Sequence, residues 1–494
     1  MKRKTLLLLL TFLQFYCLAT FDMNRNMQNS YSKIINLQFN EGYKFIELER
    51  ESNPNNGLIH LNENYKDFLT IIIGESKHEF DSLYRNKKKR LIAISKCDRN
   101  SPYYLYAQAE INLQWAFARI KFQEYFLAAY EIQKAYFLLK ENKEKYPEFY
   151  LNNKGIGLLN CIIGSVPNNF KWIVNLIGID GDIESGINTL HDFLIITEKV
   201  EKYHIYNTEL LFLISFLEMN LTIERSYMQR TLDSIEKRYK EHILLNFAAA
   251  RLSSRLGYNK NTIQILESRP DIEGQYNFWY LDYLLGMSKL YQLDQSAKDN
   301  FLSFINNHKG ENYIKSAYQK LAWISFLQGD SKKMSFYFTQ VTLHGKSFLD
   351  EDIKAQKDAQ RQHIAHPLLL EARLLYDGGY YEHSLNRIQK INLDNLSNIH
   401  NTLEYWYRLA RIQQKKMEPS KKIIETFTKV VSINQNSDAY YTPMSVLQIA
   451  FEYERLNDKA KAKYYYQKCL EFKNFDYERG IHQKAKVGLS RLLD

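Results

Sequence analysis

The sequence predicts an all-α fold, a helical-repeat superhelix of the α-solenoid kind, on three observations. Proline and glycine are scarce, 8 and 19 in 494 residues, whereas β-sandwiches and α/β folds need many more turns than that. The chain is 45% hydrophobic and 25% charged, which supplies a core and excludes a globally disordered polymer. Small and large residues also recur at one spacing through its second half, the signature of stacked helix pairs.

From the start of the chain, "MKRKTLLLLLTFLQFYCLATF" has a basic opening, an apolar stretch from Leu6 to about Tyr16, and small residues around Cys17-Leu18-Ala19. This is the layout of a secretory signal peptide, expected over residues 1–19, with an apolar run too short for a membrane span. Gln14, Phe15 and Tyr16 precede Cys17 where a lipidation motif wants a small residue, so export is the expectation and an uncleaved N-terminal anchor its alternative. The Asn-, Lys-, Ile- and Tyr-rich usage fits an AT-rich bacterial genome, hence a periplasmic or cell-envelope destination. No integral span is expected after signal removal, because "NTELLFLISFLEMNL" carries Glu209 and Glu218. Of the formal charge of +10, three positives lie in the leader, leaving +7. Lysines and glutamates alternate along the rest, so no nucleic-acid partner is argued. The one cationic run, Lys87 to Arg90, reads as a solvated helix end. Residues 20–95 show helical patches without repeat anchors and are expected to form an N-terminal cap.

Residues 96–240 open with two long helices, "AEINLQWAFARIKF" having apolar residues at helical spacing. Then Gly155, Gly157, Gly164, Gly178, Gly181 and Gly186 crowd around Pro167. The stretch contains no Gly-Lys-Ser/Thr and no strand precedes it, so the glycines read as close helix contacts and an inter-helix turn rather than a phosphate loop. The stretch "KGIGLLNCIIGSVPNNFKWIVNLIGIDGDIESGINTL" resembles the signature of eukaryotic tetratricopeptide-repeat proteins related to the fungal inclusion-body-clearance protein. There a Gly-rich helix, a proline, a short apolar helix and a Gly-Asp turn precede a further Gly-Leu helix. The resemblance covers about residues 100–490 as architecture and is specific only over Gly155–Leu190. It implies an all-α repeat fold without enzymatic activity. Its cellular roles are not carried over, because that family is intracellular.

Residues 241–494 carry the repeat. In "MSVLQIAFEYERLNDKAKAKYYYQKCLEF" Ala450 is followed by Asn457 at seven, Ala462 at twelve, Tyr466 at sixteen and Cys469 at nineteen. Small and aromatic residues at those offsets form the tetratricopeptide pattern: the small ones let helix backbones touch and the aromatics fill between pairs. The same ruler places anchors at Ala250, Gly286, Ala322, Ala372 and Ala410, with a last half-unit at Ala485. Gly286 heads a weaker copy with Leu293 and Leu302, and the Ala410 copy needs a one-residue slip to place Phe427. The step of 50 between Ala322 and Ala372 marks an insertion at 343–366, read as an extra helix packed outside or as a cap over the groove.

Motifs that carry chemistry are missing. There is no His-Glu-x-x-His, Cys-x-x-Cys or Gly-x-Ser-x-Gly, and Cys97, Cys161 and Cys469 are too scattered for a disulfide framework. His363 and His366 lack further ligands and read as exposed or capping groups. No cofactor, no metal and no catalytic residue is therefore expected. The first helix of each unit should instead line a groove, presenting Trp323, Arg373, Tyr376, Tyr407 and Arg411 unless inter-repeat packing claims them. The function expected is a scaffold or adaptor binding a protein or peptide of unknown identity, in an unknown oligomeric state. A glycan- or cell-wall-binding protein and an enzyme on a helical toroid are the alternatives.

Overall fold

A computed structural model describes residues 20–166, 174, 178–221, 225–361, 366–396, 398–433 and 439–492. Among them stand 24 α-helices and no β-strand. The signal-peptide expectation, residues 1–19, lies outside this range, as does His363. No described helix is long and apolar enough to cross a membrane.

By internal packing the described residues form two units, those within 1–256, 261–282 and 306–311, and those within 257–260, 283–305 and 312–494. The first contains α1 (Arg25–Ile35), α2 (Phe39–Ser52), α3 (Leu58–Gly74), α4 (Lys77–Ile94), α5 (Pro102–Lys121) and α6 (Tyr125–Lys145). It continues through α7 (Leu151–Gly164), α8 (Ile183–Lys199), α9 (Asn207–Leu221), α10 (Arg225–Ile235) and α11 (Ile243–Leu256). Three helices are shared between the units: α12 (Asn259–Glu267), α13 (Tyr280–Tyr291) and α14 (Ala297–Asn307). The second unit proceeds with α15 (Ile314–Leu327), α16 (Ser331–Leu343), α17 (Asp350–Arg361), α18 (Pro367–Asp377) and α19 (Tyr381–Gln389). It ends with α20 (Ile399–Lys415), α21 (Ser420–Ile433), α22 (Tyr441–Arg455), α23 (Lys459–Glu471) and α24 (Glu478–Arg491).

The repeats are local and alike. Seven residues after every anchor the backbone turns left-handed, at Gly257 (φ +84°), Leu293 (+62°), Gly329 (+76°), Gly379 (+83°), Met417 (+56°) and Asn457 (+58°). At Asn457 the amide donates to the Glu454 carbonyl and the next amide, of Asp458, reaches back to Tyr453, both at 2.9 Å. The same two bonds recur after Leu293, Gly329, Gly379 and Met417. This Schellman closure satisfies the last carbonyls of the first helix and turns the chain back along it. The second helix then buries a small residue and two larger ones: Ala462, Tyr466 and Cys469 in one unit, Ser384, Ile388 and Ile391 in another. Ala250, Ala322, Ala372, Ala410, Ala450 and Ala485 are all buried.

Two copies depart from the ruler for visible reasons. After Ala410 the turn holds an extra residue, Pro419, so α21 begins at Ser420, ten residues from its anchor rather than nine. Ile423, Phe427 and Val430 are buried there, and the expected slip is this residue. In the Gly286 copy Leu302 is half exposed, while Ala297, Phe301 and Phe304 are buried. The second-helix set thus sits one residue earlier than expected, and Phe301 packs where a Cβ on Gly286 would stand, 3.0 Å from its ring.

The same geometry extends to two pairs in the first unit in which no anchor was read. Ser30 and Ala116 are buried, and Leu37 (φ +58°) and Gln123 (φ +65°) follow each by seven residues. Gly42, Ile46 and Glu49 are buried on α2, and Ala128, Ile132 and Ala135 on α6. Farther on, α7 and α8 cross where Gly157 and Gly186 face each other: a Cβ on Gly157 would meet the Gly186 carbonyl at 2.9 Å. Only glycine permits that approach. The three described cysteines are free and buried, acting as small hydrophobes.

Within the apolar interior of the first unit lies a polar cluster. Lys154, 2% exposed at its side chain, donates to Tyr65 at 2.6 Å and lies 3.0 Å from carboxylates of both Glu110 and Glu209. Tyr31 donates to Glu209 at 2.5 Å. The Lys87–Arg90 run is not the solvated end expected. One helical turn puts Lys87 and Arg90 on the buried face of α4, paired with Glu131 at 2.5 Å and Asp67 at 2.8 Å.

Candidate functional site

Within the second unit the first helices of successive repeats present equivalent positions, one residue after each anchor. These are Trp323 on α15, Arg373 on α18 and Arg411 on α20. They touch across repeats. The Arg373 guanidinium lies 5.0 Å from the Trp323 ring centre, and that of Arg411 5.9 Å from the ring of Tyr376. Lys320, one helical turn before Trp323, places its ammonium 4.0 Å from the centre of the same indole.

This wall borders a cavity of about 360 Å³. Its other sides come from the insertion helix α17 (Lys354, Asp358, Arg361) and from the ends of the later repeats (Tyr440, Tyr441, Tyr477). The insertion is fixed at both ends. Asp352, fully buried, accepts the Tyr313 and Ser316 amides at 2.7 and 2.9 Å and so caps the start of α15. Lys357 pairs at 2.7 Å with Asp476, which lines the cavity. Burial pushes the Asp352 carboxyl up to about 6 even with these two amides bound to it. Three tyrosines cluster at the rim, Tyr440 lying 4.6 Å from Tyr441 and 5.5 Å from Tyr477, and the buried Tyr407 backs them 5.7 Å from Tyr440, ring centre to ring centre.

Charge decides what the cavity can hold. Lys354, Arg361 and Arg373 line it opposite Asp358, Glu404 and Asp476, which balance. Immediately behind stand two more cations, Lys320 and Arg408, 7% and 6% exposed. Arg408 pairs with Glu404 at 2.6 Å, yet its buried Nη2 has no hydrogen-bond partner. Lys320 bonds the Gln319 carbonyl oxygen and makes no ion pair among the described residues. Burial, with Arg373 adding repulsion, pushes its ammonium down to about 7.

A broader hollow of about 1000 Å³ lies in the first unit against α2, α3 and α4. Among its lining residues Arg90 already holds Asp67 at 2.8 Å and Glu63 at 3.6 Å. Among the described residues no three His, Cys, Asp or Glu side chains converge as metal ligands would.

No protein-family model and no curated protein matches the chain. Among solved structures, the APC/C hetero-tetramer Cut9-Hcn1 matches over 95% of this chain and 97% of that one, at 10% identity and a TM-score of 0.26. A likeness that low carries no argument, and the repeat geometry stands on its own.

The five residues expected in the groove divide. Trp323 and Arg373 line the cavity. Arg411 and Tyr376 are half-buried neighbours along the same wall. Tyr407 is 7% exposed and belongs to the core around Phe427, Val446 and Ala450, so packing claims it. Lys320 and Arg408 were missed although each stands two residues before its anchor, the next position on the same helix face. Tyr440 and Tyr477 carry no such signal, because they lie at helix starts where the repeat sets no pattern. His366 caps α18, its Nδ1 accepting the Leu368 amide at 3.2 Å.

Proposed function

We propose that this protein is a non-catalytic scaffold of the bacterial cell envelope that receives a protein or peptide segment on the first-helix wall of its second unit. The observation that carries this reading is the row Trp323, Arg373, Arg411: one repeat position in three successive units, with Arg373 over the Trp323 ring and Arg411 over the ring of Tyr376. Arginines and aromatics held in fixed positions lose little entropy when a partner docks, and such residues dominate interface energetics. Export rests on the leader-like residues 1–19, and kinship with the inclusion-body-clearance relatives on the Gly-rich stretch, where Gly157 and Gly186 let two helices touch.

A glycan ligand is the second reading, favoured by the tyrosine cluster. It wants ring faces open to solvent, and the Trp323 indole, 5% exposed, is covered by Lys320 and Arg373. Affinity purification of the tagged mature protein from crosslinked bacterial envelopes, beside an Arg373→Glu/Arg411→Glu variant, separates the two. A protein enriched with wild type and lost with the variant supports the scaffold. Retention of cell-wall oligosaccharide with no protein enriched would replace it with the glycan reading.

A further inference from the structure

The cavity beside Trp323 has features that a continuous peptide groove does not need. The insertion helix, which ordinary units of this repeat lack, walls it on one side and is pinned by the Asp352 caps and the Lys357–Asp476 pair. Its volume of about 360 Å³ suits a small molecule. Behind this lining stand Arg408, paired with Glu404 at 2.6 Å, and Lys320, which makes no ion pair among the described residues. Arg373 reaches a carboxylate, that of Asp377, only at 3.8 Å among the described residues. Its side chain is 31% exposed, and a guanidinium can hold a carboxylate through two parallel bonds. Tyr440 and Tyr477 supply flat apolar surface beside it.

From this geometry we infer that the cavity is a binding site for a small ring-bearing carboxylic acid, its carboxylate held by Arg373 beside Lys320 and its ring seated against Tyr440 and Tyr477. The same head group could be supplied by a free acid or by the end of a bound peptide, and the two sources are separable. The inference does not rest on the scaffold reading: a site for a free acid stands whether or not a protein docks along the wall. Lys320 gives it a titration signature. The groups acting on its ammonium are Arg373, which repels it, and Asp358, Glu351 and Asp352, which attract it, while the Gln319 side chain accepts its hydrogen bond. An anion arriving beside a half-neutral amine draws a proton onto it, so binding near pH 7.5 takes up protons and weakens as pH rises.

The test is calorimetric titration of the full mature chain with benzoate, phenylacetate and cyclohexanecarboxylate, each beside its primary amide. Acetyl-Gly-Tyr with a free or amidated C-terminus forms the peptide arm. The expected result is at least one acid binding with Kd below about 1 mM and at least about tenfold tighter than its amide. Proton uptake, read in buffers of different ionisation enthalpy, should vanish in Lys320→Met. Arg373→Met should abolish binding, and Arg373→Lys, which keeps the charge and loses the fork, should weaken it, with helical circular dichroism unchanged in all three. A response confined to the small acids assigns a free ligand, and one confined to the peptide pair assigns a chain end; both support the site. Equal binding of acids and amides, or no acid binding in this range, would overturn it. So would proton uptake that persists in Lys320→Met.

Discussion

Lys320 and Asp352 show how single side chains couple the insertion to the repeat. With its folded-state pKa near 7, against 10.5 for a free lysine, Lys320 binds fewer protons folded than unfolded between those values. Stability should therefore rise with pH across that window. Urea titrations at pH 7 and pH 9 should show the gain in wild type and a smaller one in Lys320→Met, which should also be the more stable protein at pH 7. Asp352 acts through its two amide bonds. Asp352→Ala strands buried donors at Tyr313 and Ser316 and should cost about 2–4 kcal/mol in thermal or urea unfolding. Neither role was legible in the sequence. Asp352 is one of three acids that open α17, and only the fold reveals that it serves the start of α15, 36 residues upstream.

At the scale of the element, the turn seven residues past each anchor is the unit's most constrained point, and the sequence exposed it well. Glycine at 257, 329 and 379 announced a left-handed residue; Leu293, Met417 and Asn457 adopt the same conformation without announcing it. That is why the Gly286 and Ala410 copies looked weak. The first unit's pairs stayed hidden for the same reason, Leu37 and Gln123 holding the turn and Ser30 the anchor. A Cβ on Gly329 meets nothing within 4 Å, whereas one on Gly379 would stand 2.8 Å from the Gly257 carbonyl. Gly329→Ala should thus cost only its left-handed strain, about 1–2 kcal/mol, and Gly379→Ala more than that in the same denaturation series. Equal losses would mean that the Gly257 contact carries no weight.

For the molecule as a whole, periodicity made the helix pairs legible, because small and large residues must alternate wherever pairs stack. It did not reveal the polar cluster inside the first unit. Lys154 lies inside the Gly-rich stretch, and its partners Glu110 and Glu209 are 44 and 55 residues away. Lys154→Met leaves two buried carboxylates facing each other and should cost about 3–5 kcal/mol. That loss should be smaller in a Lys154→Met/Glu209→Gln double variant, which removes one of the charges. The site was half legible for a related reason: residues on repeat helices follow the ruler, and those on the insertion and at helix starts do not.

The central claim, that a partner docks on the first-helix wall of the second unit, is tested most directly by placing a photo-crosslinking residue at Arg411 on that wall. The comparison position is Tyr464 on the exposed face of α23, and both are irradiated in intact cells. The account predicts a discrete crosslinked protein from position 411 that is absent from position 464. The same products from both positions, or none from 411, would contradict it.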